Sequence, residues 1–368
     1  KIEDFNNINE SIIQNIYIIA GTPKFIFEKL YNNYRELPFE EDYNLKDSLS
    51  ENIEFVFGPP GTGKTYFIAN NILNKLLEHE SVNILCLGPT NKSVDVLMSK
   101  IYDNTKDSSF LSRLGTSSEE LLYKNGLVKD KDHILYSQNK KVVGTTTARY
   151  IYDYVYVNGY KNNIKDINWD YVIIDEASMI SLPQIMYILY KSNPIKFYIA
   201  GDPKQIKPVD SETKTNGLEY QELKENIYDV VELSSFSNPT TVPHNYNVIC
   251  LTKQYRSIPK VANIYSNVFY DELLEHNKSD CDAIVKFKET LNFDNLNIIE
   301  YQTTSLEGIN KIDYIDKSPY HIYSALFAYE LSKFLADNIV NIDSKIKIGI
   351  ISPYKTQSSI INKIGHSK

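Results

Sequence analysis

The sequence predicts an α/β protein, with two parallel-sheet units in one chain. Short runs that are apolar at nearly every position recur, such as Tyr171-Val172-Ile173-Ile174, and such runs belong to sheets covered on both faces. Stretches with apolar residues at helical spacing alternate with them, and that alternation is the signature of parallel strands joined by helices. The length, 368 residues, allows about two domains with sizeable cores.

Taken in order, residues 1–50 form an N-terminal flanking segment. Within it Ile12–Ile19 reads as a short strand or helix, Phe25–Tyr34 has helical spacing, and Pro38–Asp42 is an acidic connector. Residues 51–240 form the first expected domain. Its strands are Ile53–Phe57, Val82–Leu87, Lys141–Gly144, Tyr171–Ile174 and Phe197–Ala200, and its clearest helices are Tyr66–Leu77 and Val94–Ile101. From about 103 to 140 the pattern turns polar and mixed, which reads as a surface insertion. Residues 234–247 are rich in turn formers, and the domain boundary is expected there. Residues 241–368 then repeat the pattern as a second, truncated domain. Its elements are a strand at Val248–Leu251, a helix opened by Pro259, strands at Asn297–Glu300 and Ile346–Ile351, and a helix at Ile322–Ile339.

A formal charge of −8 argues against coating nucleic acid through bulk basicity, but leaves room for a local groove that meets phosphates through N–H and hydroxyl groups. The three cysteines, Cys86, Cys250 and Cys281, lack metal-ligand spacing, and the first two sit in apolar runs; a reducing compartment, cytoplasmic or nuclear, is expected. The six His residues show no ligand spacing either. No apolar run reaches the ~18 residues of a membrane span. The chain starts Lys1-Ile2-Glu3-Asp4, without a signal-peptide pattern or an initiator Met, and a fragment of a longer protein is expected.

The chemistry concentrates after the strands. Gly58-Pro59-Pro60-Gly61-Thr62-Gly63-Lys64-Thr65 fits the phosphate-binding loop, between a strand and a helix that begins near Tyr66. Its glycines let backbone N–H groups wrap phosphate, and the helix adds its positive end. Lys64 suits the β/γ-phosphates and the Thr65 hydroxyl suits Mg²⁺. Asp175-Glu176 ends the most apolar strand, where Asp175 would hold Mg²⁺ and Glu176 would polarise an attacking water. In Gly201–Pro208, most of which is turn chemistry, Gln205 is the group that could touch γ-phosphate or position water. Gln254-Tyr255-Arg256-Ser257 offers an arginine from a facing domain and a tyrosine that could stack on adenine; the plain alternative is a surface arginine beside a packed tyrosine. Pro89-Thr90-Asn91, Thr145-Thr146 and Pro353-Tyr354 lie in loops whose small hydroxyl and amide groups suit sequence-independent contact with a sugar–phosphate backbone, although Thr90 or Asn91 would cap a helix in any case. Trp169, the single tryptophan, reads as packing, and the Lys-rich stretch 124–141 as a solvated face.

Together these stretches resemble the ordered motifs of superfamily 1 helicases, in the 5′→3′ branch of the senataxin-like helicases and the RNA helicase of nonsense-mediated decay. The resemblance rests on GPPGTGKT at 58–65, ILCLGPTNKSVDVL at 84–97, VVGTTTA at 142–148, VIIDEAS at 172–178, GDPKQIKP at 201–208, QYRSIP at 254–259 and IGIISPYKTQ at 348–357. It implies two RecA-like P-loop NTPase domains with parallel sheets, the second incomplete, and ATP-driven, Mg²⁺-dependent movement along single-stranded DNA or RNA. It further implies that Lys64, Thr65, Asp175, Glu176 and Gln205 serve the nucleotide, Arg256 is an arginine finger and Tyr255 stacks on the base. Pro89, Thr90, Asn91, Thr145 and Thr146 then grip the strand. Two departures stand out: residues 38–52 contain no Gln where the family has a glutamine motif, and the family's later motifs, with a second arginine, do not occur within this chain. A P-loop ATPase that remodels or signals through protein partners is the competing expectation, and the acidic balance favours it slightly.

Overall fold

The first sheet is built from the strongly apolar runs. In this computed structural model, which describes residues 52–129, 134–135, 139–157, 159–208, 225–235, 247–277, 297–300, 302, 311–339 and 347–366, strand β1 is Ile53–Phe57. There follow helix α1 (Lys64–Glu78), β2 (Val82–Gly88), α2 (Asn91–Thr105), β3 (Leu111–Leu114), β4 (Val128–Lys129) and β5 (Lys140–Thr146). Next come β6 (Tyr171–Ile174), α3 (Leu182–Lys191), β7 (Lys196–Gly201) and β8 (Asn247–Cys250). The eight strands form one sheet in the order β8-β1-β7-β6-β2-β5-β3-β4, and every one of these pairings is parallel. The expectations for residues 1–50 lie outside the described residues.

Two-sided burial explains why the strands are apolar at consecutive positions. Along β2, β6 and β7, Leu85, Leu87, Val172, Ile174, Phe197 and Ile199 face one core, with Ile185 and Ile188 of α3 and the rings of Tyr150, Trp169 and Tyr228. The alternate residues Ile84, Cys86, Ile173, Tyr198 and Ala200 face the other, against Ile68, Ala69 and Ile72 of α1 and Val94, Leu97 and Met98 of α2. Side chains alternate across a pleated strand, so a strand buried on both faces needs apolar residues throughout. Gly144 in β5 marks a close approach of helix to sheet: a Cβ there would lie 2.6 Å from the Met98 sulfur.

The stretch 103–140 is more than the expected surface insertion. It supplies β3 and β4, which extend the sheet beyond β5. What disguised β3 is its charge: Arg113 is completely buried and bonded through Nε to the equally buried Asp95 of α2, 2.7 Å away. An apolar pattern could not reveal a strand whose burial depends on an ion pair.

The expected boundary also moves. The strand thought to open the second domain is β8, and it pairs in parallel with β1, Phe55 opposite Val248 and Phe57 opposite Cys250. The chain divides into two compact units: among the described residues, the first runs to Arg256 and regains Asn267–Glu275, and the second takes Ser257–Ser266 and the residues from His276 onward. Pro259 opens helix α4 (Pro259–Phe269), as expected.

In the second unit, β9 (Asp313–Ile315) and β10 (Ser318–Tyr320) form an antiparallel hairpin, followed by α5 (Ile322–Ile339) and α6 (Lys355–His366). Helices α5 and α6 pack together, burying Ala325 and Ile361. Gln357 ties them: its Oε1 accepts from the His321 N–H at 2.8 Å and its Nε2 donates to the His321 carbonyl at 3.2 Å. The strands expected at Asn297–Glu300 and Ile346–Ile351 do not form over the described residues 297–300 and 347–351. Ile298 and Ile351 are almost fully exposed there. An apolar run becomes a strand only where a ladder partner satisfies its backbone.

Candidate functional site

Because the strands are parallel, their carboxyl ends lie along one edge of the sheet, where open α/β sheets bind ligands. The phosphate loop follows β1, Asp175-Glu176 follows β6, and Gln205 follows β7, and these three strands are neighbours. The sheet order therefore brings together residues up to 147 positions apart, a juxtaposition the motifs alone did not specify.

The loop is held by backbone geometry. The Gly58 N–H donates to the Gly201 carbonyl at 3.3 Å, and the Thr62 hydroxyl donates to the Pro59 carbonyl at 2.8 Å. Helix α1 begins at Lys64 with no side chain capping its first turn, so its first N–H groups stand free for an anion. Lys64 is buried, and its ammonium donates to the Gly58 carbonyl at 2.6 Å, folded across the loop it would otherwise present to phosphate. Tyr66 is exposed, with the Lys100 ammonium 5.6 Å from its ring centre.

The Thr65 hydroxyl donates to Asp175 Oδ2 at 3.3 Å, while Asp175 Oδ1 accepts the Glu176 N–H at 2.9 Å. Burial, reinforced by the charge of Glu176, pushes the Asp175 carboxyl up to about 6, against the opposing pull of Lys64, the Glu176 N–H and Thr65. A hydroxyl and a buried, under-compensated carboxylate side by side are the donor set of a hard cation, so Thr65 and Asp175 fit Mg²⁺. Glu176 adopts the left-handed backbone region at φ 53°, sparsely populated for a residue with a Cβ and often found at working sites. Beside it, Gln205 donates from Nε2 to Asp202 Oδ2 at 2.7 Å.

The Gln254-Tyr255-Arg256 segment corrects the expectation of a finger reaching across from a facing domain. It belongs to the same compact unit as the phosphate loop. The Tyr255 N–H donates to the Gly61 carbonyl at 2.8 Å, and the buried Gln254 Oε1 accepts the Arg256 N–H at 3.1 Å. Gly61, at φ 79°, lets the backbones meet this closely; a Cβ on it would fall 2.7 Å from the Arg256 Cβ. The rings and guanidinium of Tyr255 and Arg256 are exposed beside the loop.

The expected strand-gripping residues fall at the ends of the adjacent strands β2 and β5. Thr90 and Asn91 are exposed and Pro89 half-buried. Thr90 caps α2 by accepting the Ser93 N–H at 3.1 Å. Thr145 is fully buried, its hydroxyl without a hydrogen-bond partner among the described residues, and Thr146 is nearly buried. Their side chains therefore face the protein, and this edge offers Thr90, Asn91 and Lys92 to solvent. Pro353 and Tyr354 are exposed at the start of α6 in the second unit.

Sequence reasoning missed the polar groups that brace these loops. Arg113 donates from Nη2 to Asn91 Oδ1 at 3.0 Å while its Nε holds Asp95, which also accepts from Ser117 Oγ at 2.8 Å. Nothing in the local pattern marks Arg113. Asp202 was visible within Gly201–Pro208, but its partner Tyr270 was not.

The sheet edge and its loop define a phosphate-loop nucleotide-binding protein. Comparison with known families agrees: two AAA domain models match, over residues 43–211 and 231–368. The chain is 28% identical over 232 residues to the DNA replication ATP-dependent helicase/nuclease DNA2 of Saccharomyces cerevisiae, covering 61% of this chain and 14% of that protein. It is 24% identical to the DNA polymerase alpha-associated DNA helicase A of the same yeast, over 98% of this chain and 61% of the relative. It is also 24% identical to the regulator of nonsense transcripts 1 homolog of Neurospora crassa, over 86% of this chain and 30% of the relative. The chain thus carries two matches to AAA domain models and is similar to helicases of the kind its motifs resemble. It spans between about a seventh and three-fifths of the length of these relatives.

Proposed function

We propose that this chain is the ATP-hydrolysing core of a helicase or translocase that acts on single-stranded DNA or RNA. The observation that carries the reading is the buried Asp175 carboxylate within hydrogen-bonding reach of Thr65, on the strand beside the one that presents Gln205. ATP fits the loop because α1 leaves its first N–H groups uncapped and Lys64 can swing from the Gly58 carbonyl to the β/γ-phosphates. Mg²⁺, held by Thr65 and Asp175, would supply positive charge to the phosphate oxygens. Glu176 then takes a proton from the attacking water. The water oxygen bonds the terminal phosphorus, and the bond to the bridging oxygen breaks to release the diphosphate. Arg256, anchored beside Gly61, is placed to offset charge that develops on the leaving oxygens. Thr90, Asn91 and Lys92 form the exposed part of the strand-binding edge of the first unit.

The test is ATP turnover with and without single-stranded oligonucleotides. Strands should raise the rate severalfold. Lys64→Ala should abolish turnover, and Glu176→Gln should keep ATP binding while losing hydrolysis. An unchanged rate with and without strands, at low salt where phosphate contacts are strongest, would overturn strand-driven work and favour action through protein partners.

A further inference from the structure

Beyond the motif residues, one polar chain leads out of the nucleotide site to a side chain that no motif contains. Asp202 is fully buried, and its Oδ2 accepts two donors: the Tyr270 hydroxyl at 2.6 Å and the Gln205 Nε2 at 2.7 Å. Its Oδ1 accepts the Lys204 N–H at 3.0 Å, and its carbonyl accepts the Gln205 N–H at 3.0 Å. Tyr270 is buried too, its ring centre 6.4 Å from that of Phe57, the residue immediately before the phosphate loop. Both residues belong to the first compact unit.

Resting on the ATPase reading above, we infer that Tyr270 is a positioning residue for hydrolysis: through Asp202 it holds the Gln205 amide so that its carbonyl oxygen faces the attacking water. The chemistry leaves little choice. A carboxylate only accepts, so Gln205 must turn its NH₂ toward Asp202, which leaves Oε1 as the free end of the amide. Oε1 is an acceptor, suited to orienting a water O–H, while Nε2 keeps one hydrogen beyond the one given to Asp202. The Tyr270 hydroxyl fixes where the shared Oδ2 lies, and a charge-assisted hydrogen bond of this length restricts the carboxylate about its side-chain torsion. Without that hydroxyl, Asp202 can rotate and Gln205 can follow. Proteins hold such constellations tightly because small displacements of a water-orienting group are costly in rate.

The experiment uses the full chain and Tyr270→Phe, which keeps the ring against Phe57 and removes one oxygen. Strand-stimulated kcat should fall about tenfold, with KM for ATP within about twofold. In the Gln205→Ala background the same substitution should change kcat less than about twofold, because the group being positioned is gone. A purely structural role would lower kcat by the same factor in both backgrounds, and that result, or an unaltered kcat in Tyr270→Phe alone, would overturn the inference. A second readout does not depend on turnover. In chain labelled with side-chain ¹⁵N-glutamine, the Gln205 Nε2 resonance, identified by its loss in Gln205→Ala, should shift in Tyr270→Phe. An unmoved resonance would refute the positioning, whereas a wild-type chain that hydrolyses no ATP would refute the ATPase reading and leave this measurement to decide.

Discussion

Replacing Asp175 with asparagine should make the chain more stable as it disables the nucleotide site. The buried carboxyl is raised from 3.8 to about 6, first by burial and then by the charge of Glu176. A carboxyl raised on folding contributes most to stability below its unfolded value, and that contribution is lost as pH rises through the folded value. At pH 7.5 the folded chain therefore carries Asp175 ionised at a cost of about 3 kcal/mol, the shift converted at about 1.4 kcal/mol per unit. Near pH 4.5 the folded carboxyl holds its proton while most unfolded chains have lost theirs, and the cost falls to about 1 kcal/mol. Asparagine keeps the shape and has no charge to bury. Denaturation of metal-free chain can be followed through Trp169, the single tryptophan, which is buried in the core under the same sheet and so reports this unit alone. Asp175→Asn should raise its stability by about 2–3 kcal/mol at pH 7.5 and by about 1 kcal/mol at pH 4.5. An equal gap at both pH values, or no gain at pH 7.5, would refute the reasoning. A change in cooperativity rather than midpoint would point to altered packing instead.

Three further outcomes follow from the geometry. Arg113→Ala leaves Asp95 buried without its partner and should cost about 3–5 kcal/mol in the same Trp169 melt, with weakened strand binding because Asn91 loses its brace. Thr145→Val removes a buried hydroxyl that has no partner among the described residues, so it should leave stability unchanged or raise it by about 1 kcal/mol; a loss of oligonucleotide affinity in filter binding would show that the hydroxyl turns outward when a strand is present. Gly61→Ala combines a left-handed backbone with a Cβ driven toward the Arg256 Cβ, so ATP affinity should drop at least tenfold in a fluorescent-nucleotide titration, whereas Gly126→Ala, strained but in open space, should leave it unchanged.

The phosphate loop, the acidic pair and Gln205 were legible in the sequence because each lies within a few residues of an apolar strand end, and strand ends are visible as local pattern. Arg113, Tyr270 and the true place of Val248–Cys250 were not. An apolar run tells that a segment is buried, not which strand it pairs with, and β8 could as well have opened a second sheet as edged the first. A charged residue in a polar stretch reads as solvated until its counter-charge, 18 positions away, is brought against it. The strands expected at 297–300 and 347–351 failed for the complementary reason, since apolar composition alone supplies no ladder partner.

By itself, the sequence determined that a nucleoside triphosphate loop sits between a buried strand and a helix, because the spacing of Gly58, Gly63, Lys64 and Thr65 is a local requirement of phosphate geometry. The tertiary structure decided which groups share that loop's surroundings. Strand order set Asp175 and Gln205 beside it, β8 carried Arg256 to Gly61 within the loop's own unit, and the return of the chain at Tyr270 fixed Asp202 from behind. Spacing along the chain encodes local contacts, but proximity across strands depends on the register and order of the whole sheet, and no single stretch contains that information.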